Sequence, residues 1–203
     1  MRIFPGTLDK NAQSELLNQI EAALDVAPLF VPRMPRTGRA FSVRMSNMGS
    51  LGWVSDKERG YRYQTLHPET DAPWAPIPQS LLTLWRELTD YPHGPEACLI
   101  NYYTSDAKMG LHQDRDEEDF DAPVLSVSLG DRARFRLGGQ NRKDKTSSMD
   151  ISSGDVLILE KQTRLAFHGI DRIYPNSSNL LDGRQHFPDG GRINLTLRRV
   201  TKP

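Results

Sequence analysis

Only one cysteine, Cys98, occurs in the 203 residues, so an internal disulfide is excluded. It sits in the apolar run Ala97-Cys98-Leu99-Ile100, where a free thiol behaves as a small buried hydrophobe. Such sparse cysteine suits a reducing compartment. Net charge is equally lacking: 26 Lys and Arg balance 26 Asp and Glu. No global basic field therefore demands nucleic acid, and only a local cluster of cations would serve one. No apolar run approaches the roughly 18–20 residues that span a bilayer. The opening Met1-Arg2-Ile3-Phe4-Pro5-Gly6 lacks the apolar core of a secretory signal. A cytoplasmic protein with no membrane partner is expected. Internal repeats and low-complexity segments are absent too. The length suits one compact domain with a sizeable core.

What is present divides into two textures. Asp9 to Ala27 has Leu16, Leu17, Ile20, Ala23 and Leu24 at helical spacing, with Asp9 as N-cap and Pro28 closing the pattern. Pro78 opens a second helix to about Asp90, with Leu81, Leu84, Trp85 and Leu88 as its apolar stripe. Between them, Val31 to Arg39 is broken by Pro32, Pro35 and Gly38 and charged by Arg33, Arg36 and Arg39, which predicts a mobile basic loop. Ala40 to Met45 is a candidate strand. Asn47 to Trp53 carries two glycines and predicts a turn presenting Trp53. From Ala97 onward short strands are predicted: Ala97–Tyr103, Pro123–Leu129, Ala133–Leu137, Met149–Ile151, Asp155–Leu159, Leu165–His168 and Arg192–Val200. About seven short strands with glycine turns argue an all-β sandwich or jelly roll, with the two helices against its outside.

Five stretches carry chemistry. His112 and Asp114, two residues apart, face the same way on an extended segment and can share a cation. They are half of the two-histidine, one-carboxylate set that holds non-haem Fe(II). A solvated polar loop running into Asp116-Glu117-Glu118-Asp119 is the alternative. A second histidine is needed, and of the five only His168 ends an apolar run, Leu165-Ala166-Phe167. On the last strand Arg192, Asn194, Thr196 and Arg198 share one face, and Ile193, Leu195 and Leu197 the other. That polar face meets water, or it lines a pocket whose arginines, some 20 Å apart by strand geometry, lean inward to grip an anion. Asn101 and Tyr103 likewise share one face of an apolar strand. Trp53, Tyr61 and Tyr63 stand among Lys57, Arg59 and Arg62. Ordinary packing on a hairpin is the simpler reading of these aromatics, and stacking faces for a flipped base the other.

Together these residues resemble the AlkB family of Fe(II)/2-oxoglutarate-dependent dioxygenases. The likeness runs through Asn47-x-Gly49-x-Leu51-Gly52-Trp53, Ala97-Cys98-Leu99-Ile100-Asn101-x-Tyr103, Leu111-His112-Gln113-Asp114-x-Asp116-Glu117, Ser126-Val127-Ser128-Leu129-Gly130 and Arg192-x-Asn194-Leu195-Thr196-x-Arg198. It extends from about the first helix to the C-terminus. The resemblance implies a mainly β fold with flanking helices, a double-stranded β-helix (jelly roll) carrying an N-terminal nucleotide-recognition lid. Within the single domain, residues up to about 95 would form helices and lid, and the remainder the catalytic core.

By the same resemblance, His112, Asp114 and His168 are the catalytic Fe(II) ligands. Asn101, Tyr103, Arg192, Asn194, Thr196 and Arg198 would hold 2-oxoglutarate, Arg192 at the distal carboxylate and Arg198 at the chelating end. Trp53, Tyr61, Tyr63, Asp116, Arg142, Met45 and Ser126 would contact substrate, with Trp53 and His112 on either side of the base. The implied activity is oxidative demethylation of N1-methyladenine- or N3-methylcytosine-type bases in alkylated DNA, with RNA left open, by a monomer that flips the base. Succinate, CO₂ and formaldehyde would be released. Asp116 would favour the cationic base, and Arg33, Arg36, Arg39, Lys57 and Arg59 would supply a local basic strip. Two stretches depart from the family pattern: Pro175 to Gly191 is longer, and Val31 to Arg39 matches poorly. The competing readings are an oxygenase of the same kind acting on protein or small molecule, and a non-catalytic metal-binding barrel.

Overall fold

The computed structural model describes all residues 1–203. Helix α1 spans Lys10–Val26, capped where the Asp9 carboxylate accepts from the Ala12 N–H at 2.8 Å. Its stripe Leu16, Leu17, Ile20, Ala23 and Leu24 is buried, and Pro28 follows the end because it cannot continue the ladder. Helix α2 spans Gln79–Leu88 and buries Leu81 and Trp85.

The strands are β1 (Arg2–Phe4), β2 (Arg44–Gly49), β3 (Gly52–Asp56), β4 (Gly60–Gln64), β5 (Ala97–Tyr103), β6 (Met109–His112), β7 (Val124–Gly130), β8 (Ala133–Leu137), β9 (Ser147–Ile151), β10 (Val156–Leu159), β11 (His168–Ile173) and β12 (Arg192–Arg198). They form a six-stranded sheet in the order β1-β10-β7-β12-β5-β2 and a four-stranded sheet β6-β11-β8-β9. A separate hairpin pairs β3 with β4. All named pairings are antiparallel. Because β1 and β2 belong to the large sheet, the N-terminal stretch is woven into the barrel rather than set beside it. No helix is long and apolar enough to cross a membrane.

Register decides what the site contains. Residues directly opposite across a sheet share a face. On β12, Arg192 lies opposite Tyr103 and Gly130, Asn194 opposite Asn101 and Ser128, and Thr196 opposite Leu99 and Ser126. The intervening Ile193, Leu195 and Leu197 lie opposite Tyr102, Ile100 and Cys98. This second set packs in a 22-residue cluster with the α1 and α2 stripes. A second, 20-residue cluster lies on the other face and includes Tyr103, Leu157, Phe135 and Ile170. The apolar face of β12 therefore turns outward beneath the helices, and its polar face turns into the barrel.

Several boundaries differ from the sequence expectation. His168 opens a strand instead of closing one. The preceding Leu165-Ala166-Phe167 follows the 3₁₀ turn Lys161–Thr163, and Phe167 N–H is spent on the Gly139 carbonyl at 2.8 Å. The strand expected over 40–45 begins at Arg44, and Asn47 to Gly49 lie in it, so the turn is only Ser50-Leu51. Strands β1 and β6, of three and four residues, are too short to show a period. The basic loop expected to be mobile is hydrogen-bonded: Arg33 N–H donates to Ser55 O at 3.0 Å, and Phe41 N–H to Pro32 O at 2.9 Å. The long segment before β12 docks on α1, through Arg184 to Glu21 at 2.9 Å and His186 to Asp25 at 2.8 Å, with Phe187 fully buried.

Candidate metal and anion site

His112 ends β6 and His168 begins β11, and the two are direct cross-strand partners with ring centroids 4.4 Å apart. Each imidazole is fixed by a backbone carbonyl, His112 Nδ1 by Gly110 O at 2.9 Å and His168 Nδ1 by Ala166 O at 3.0 Å. A carbonyl only accepts, so both Nδ1 atoms carry the proton and both Nε2 lone pairs are free. Those lone pairs converge on Asp114: His112 Nε2 is 3.6 Å from Oδ1, and His168 Nε2 is 3.6 Å from Oδ2. One ligand atom from each of the three residues lies within 4.8 Å of the others. Gly169 makes the approach possible, since a Cβ there would lie 2.5 Å from Met109 O. The strand bulges at the same place, a device that re-aims side chains beside sites.

Electrostatics prepares these groups for a cation. Burial alone would raise the Asp114 carboxyl, but Arg198, His168, His112 and Arg164 hold it well below the usual range. His168 is pushed down to about 4 by burial and by the neighbouring His112, so its imidazole is neutral at physiological pH. Asp114 Oδ2 is buried with no hydrogen-bond partner. An ionised carboxylate oxygen left bare in the interior is costly, and a cation between it and the two Nε2 atoms would satisfy it. Two imidazoles and one carboxylate are the donor set of non-haem Fe(II).

The cavity beside this cluster has a volume of about 670 Å³. Its floor is the polar face of β12. Arg192 is fully buried, donating to Ser128 Oγ at 2.8 Å and to Asp131 O at 3.3 Å, with its Nε unpartnered. No carboxylate lies within ion-pair distance of it, unlike Arg198. Burial depresses the guanidinium to about 10. A buried cation facing a cavity, with Asp155 and Asp131 near but no carboxylate in contact, is only partly compensated, so the floor suits an anion. Asn194 Nδ2 donates to Ser126 Oγ at 2.6 Å, and Thr196 Oγ1 donates to Asn194 Oδ1 at 2.9 Å. The buried Tyr103 hydroxyl, raised to about 12 by desolvation, stays a donor.

Behind the metal cluster lies a buried charge network. Arg198 donates to Asp114 Oδ1 at 2.7 Å and to Glu117 Oε1 at 2.8 Å. Arg164 donates to Glu117 Oε2 at 3.1 Å, to Asp114 O at 2.8 Å and to Ala122 O at 2.8 Å. Removing one member of such a buried pair typically costs about 3–5 kcal/mol.

The mouth is built by the β3–β4 hairpin. The buried Asn47 amide pairs with the Trp53 backbone, accepting from its N–H and donating to its C=O, both at 3.0 Å. Trp53 stacks on Tyr61 at 5.5 Å, 24° from parallel, and its Nε1 donates to Asp116 Oδ2 at 2.7 Å. The Asp116 carboxyl is raised by desolvation beside Trp53, opposed by that bond, although the residue as a whole is exposed. Arg142 reaches Leu111 O at 3.1 Å.

Of the sixteen residues expected to hold metal, 2-oxoglutarate or substrate, fifteen line this one cavity: His112, Asp114, His168, Asn101, Tyr103, Arg192, Asn194, Thr196, Arg198, Trp53, Tyr61, Asp116, Arg142, Met45 and Ser126. Tyr63 is the exception. It pairs with Trp53 on the hairpin, but its hydroxyl is turned away to Glu117, to which it donates, and to Arg198 Nη1 at 3.1 Å. Sequence reasoning gave no role to Glu117, Arg164, Ser128 or Asp131. Ser128 was legible, since it lies two residues from Ser126 on the same face. Glu117 was hidden in an acidic run, and nothing in the pattern around Arg164 separates it from a surface arginine.

The family described as the 2OG-Fe(II) oxygenase superfamily matches residues 1–198. A protein named alpha-ketoglutarate-dependent dioxygenase AlkB homolog, from Caulobacter vibrioides, is 53% identical over 198 residues, covering 98% of this chain and 86% of its own. Alpha-ketoglutarate-dependent dioxygenase AlkB of Escherichia coli K12 is 37% identical over 196 residues, covering 95% of this chain and 87% of its own. The solved structure of OsALKBH1 superposes with a TM-score of 0.78 at 30% identity, covering 97% of this chain and 95% of that one.

Proposed function

The chain belongs to the 2OG-Fe(II) oxygenase superfamily, and from that premise we propose that it oxidatively demethylates alkylated nucleobases. The observation that carries this reading is the shared cavity: a two-histidine, one-carboxylate cluster, an anion floor and an aromatic mouth all line it. Fe(II) would be held by His112, Asp114 and His168. The distal carboxylate of 2-oxoglutarate would meet Arg192, and its chelating end Arg198, with Asn101, Tyr103, Asn194 and Thr196 completing the floor. With O₂, this pair supplies oxidation of a methyl C–H, one oxygen entering the methyl group and the other leaving in succinate beside CO₂. The hydroxymethyl amine then loses formaldehyde and restores the base.

The chain's own residues do the rest. Trp53 and Tyr61 present aromatic faces on which a base flipped from the helix can stack. Asp116 sets a carboxylate at the same mouth, where a base made cationic by methylation is favoured. Arg33, Arg36, Arg39, Lys57 and Arg59 are exposed around the hairpin end and form the local strip that phosphates require. Arg198 occupies Asp114 Oδ1 and so leaves Oδ2 for the metal. Apolar Phe135, Leu157 and Leu159 line the same cavity and exclude water from it.

Formaldehyde release is the test, across single- and double-stranded oligonucleotides carrying N1-methyladenine or N3-methylcytosine, with Fe(II), 2-oxoglutarate and O₂. On at least one, formaldehyde is expected, matched mole for mole by the succinate released above the substrate-free rate. Succinate without formaldehyde on every oligonucleotide would point to another substrate class. Neither product would leave a metal-binding barrel without this chemistry.

A further inference from the structure

We propose that Tyr63 and Glu117 are positioning residues that couple the recognition hairpin to the metal-holding carboxylate of Asp114 through the Arg198 guanidinium. The proposal takes the metal assignment of the preceding section as its premise, but not the nature of the substrate. The contacts form one unbroken chain. Tyr63, on β4, donates its hydroxyl to Glu117 Oε1 and accepts from Arg198 Nη1 at 3.1 Å. Arg198 Nη1 also reaches Glu117 Oε1 at 2.8 Å, and Nη2 reaches Asp114 Oδ1 at 2.7 Å. Arg164 anchors the far side, holding Glu117 Oε2 at 3.1 Å and the Asp114 backbone carbonyl at 2.8 Å.

Two features make this a linkage rather than a collection of contacts. First, the charges balance: two buried carboxylates, Asp114 and Glu117, meet two buried guanidiniums, Arg164 and Arg198. No member can move without unpairing another, and a buried unpaired charge is costly. Second, Tyr63 is a member of the network on the hairpin, which pairs with neither large sheet. A displacement of the hairpin therefore moves the Tyr63 hydroxyl, tilts Arg198 and changes which Asp114 oxygen is free. The same linkage runs backward: a cation on Asp114 Oδ2 and an anion on Arg198 fix the network and tighten the hairpin, as reciprocity between coupled sites requires.

The test needs no nucleic acid, so it stands or falls apart from the demethylation assay. Mn(II) affinity is measured by electron paramagnetic resonance for wild type, Tyr63→Phe, Glu117→Gln and Glu117→Asp. Amide exchange of residues 52–64 is followed with and without Mn(II) plus 2-oxoglutarate. Glu117→Gln, which leaves excess positive charge beside the metal, is expected to weaken Mn(II) about 10- to 100-fold, in the range of changes behind metal ligands, with partial rescue by Glu117→Asp. Tyr63→Phe keeps every charge and is expected to weaken it about 5-fold, the worth of one hydrogen bond. In wild type, Mn(II) with 2-oxoglutarate should slow hairpin exchange, and in Tyr63→Phe that slowing should be lost. Wild-type Mn(II) affinity in Tyr63→Phe, or an intact hairpin response in it, would overturn the coupling. Should Glu117→Gln fail to fold, Tyr63→Phe alone decides.

Discussion

Strands β12 and β4 both alternate polar or aromatic side chains with others, yet the molecule treats them oppositely. β12 lies inside the six-stranded sheet, flanked by β5 and β7. Register with two neighbours fixes every inward side chain, and Arg192, Thr196 and Arg198 are all buried. β4 pairs only with β3, and its Tyr61 is 49% exposed. A lone two-stranded hairpin is marginal by itself, so this one depends on burying Trp53 and Val54 in the core and on ties beyond itself: Asn47 to the Trp53 backbone, Ser55 to Arg33 O, Trp53 to Asp116 and Tyr63 to Glu117. The difference separates two tasks. The groups suited to metal and anion are built into the sheets or, like Asp114, held beside them by buried ion pairs. The groups suited to a base sit on a hairpin outside both large sheets, and the two regions meet at Tyr63.

Substitutions along this divide should fall in a definite order. The largest effect belongs to Asp114→Ala, which removes the only carboxylate of the metal cluster. Mn(II) binding and succinate release should both drop by more than about 10³-fold, as loss of a metal ligand exceeds the 10–100-fold cost of losing its supporting partner. Next comes Arg192→Ala. Truncating one partner of a buried charge-assisted contact costs about 2–5 kcal/mol, so the KM for 2-oxoglutarate should rise by about 10²-fold while Mn(II) affinity holds. A rise in oligonucleotide KM instead would blur the two regions. Asn47→Ala should act first on the lid, leaving the Trp53 N–H and C=O unsatisfied at about 1–3 kcal/mol. Hairpin amides should exchange faster and oligonucleotide KM rise several-fold, with uncoupled succinate release falling by no more than the roughly 5-fold expected of one hydrogen bond in the Tyr63 link. The smallest effect is that of pH on the floor. Burial lowers the Arg192 guanidinium to about 10, so its charge is complete near neutrality and lost as pH rises through that value. The kcat/KM for 2-oxoglutarate should stay flat up to about pH 9 and decline above about pH 10.

The same divide explains how much could be read in the sequence. The β12 face was legible because a strand held between two neighbours keeps a strict period of two, so Arg192, Asn194, Thr196 and Arg198 announced a shared face. Whether that face met water or a cavity was settled only by the helices packing on Ile193, Leu195 and Leu197. His168 was found for its place at the end of an apolar run, yet it begins a strand, because that run follows a 3₁₀ turn and the Phe167 backbone pairs with Gly138 and Gly139 outside the ladder. Tyr63 shares the alternation of Tyr61 but not its environment. Periodicity gives a side chain's face, while the direction of a hydroxyl depends on a glutamate 54 residues away. Arg164 was illegible for the same reason, its partners lying 42 to 50 residues off.

One substitution tests the separation of chemistry from recognition most directly. In Trp53→Ala, succinate and formaldehyde are measured in the same reaction on a methylated single-stranded oligonucleotide. Formaldehyde should drop at least about 10-fold, the worth of one lost base-stacking contact, while substrate-independent succinate release persists within about 5-fold of the wild-type rate, the worth of one hydrogen bond in the hairpin link. Formaldehyde release equal to wild type, or a parallel collapse of both products in a folded variant with normal Mn(II) affinity, would contradict the account.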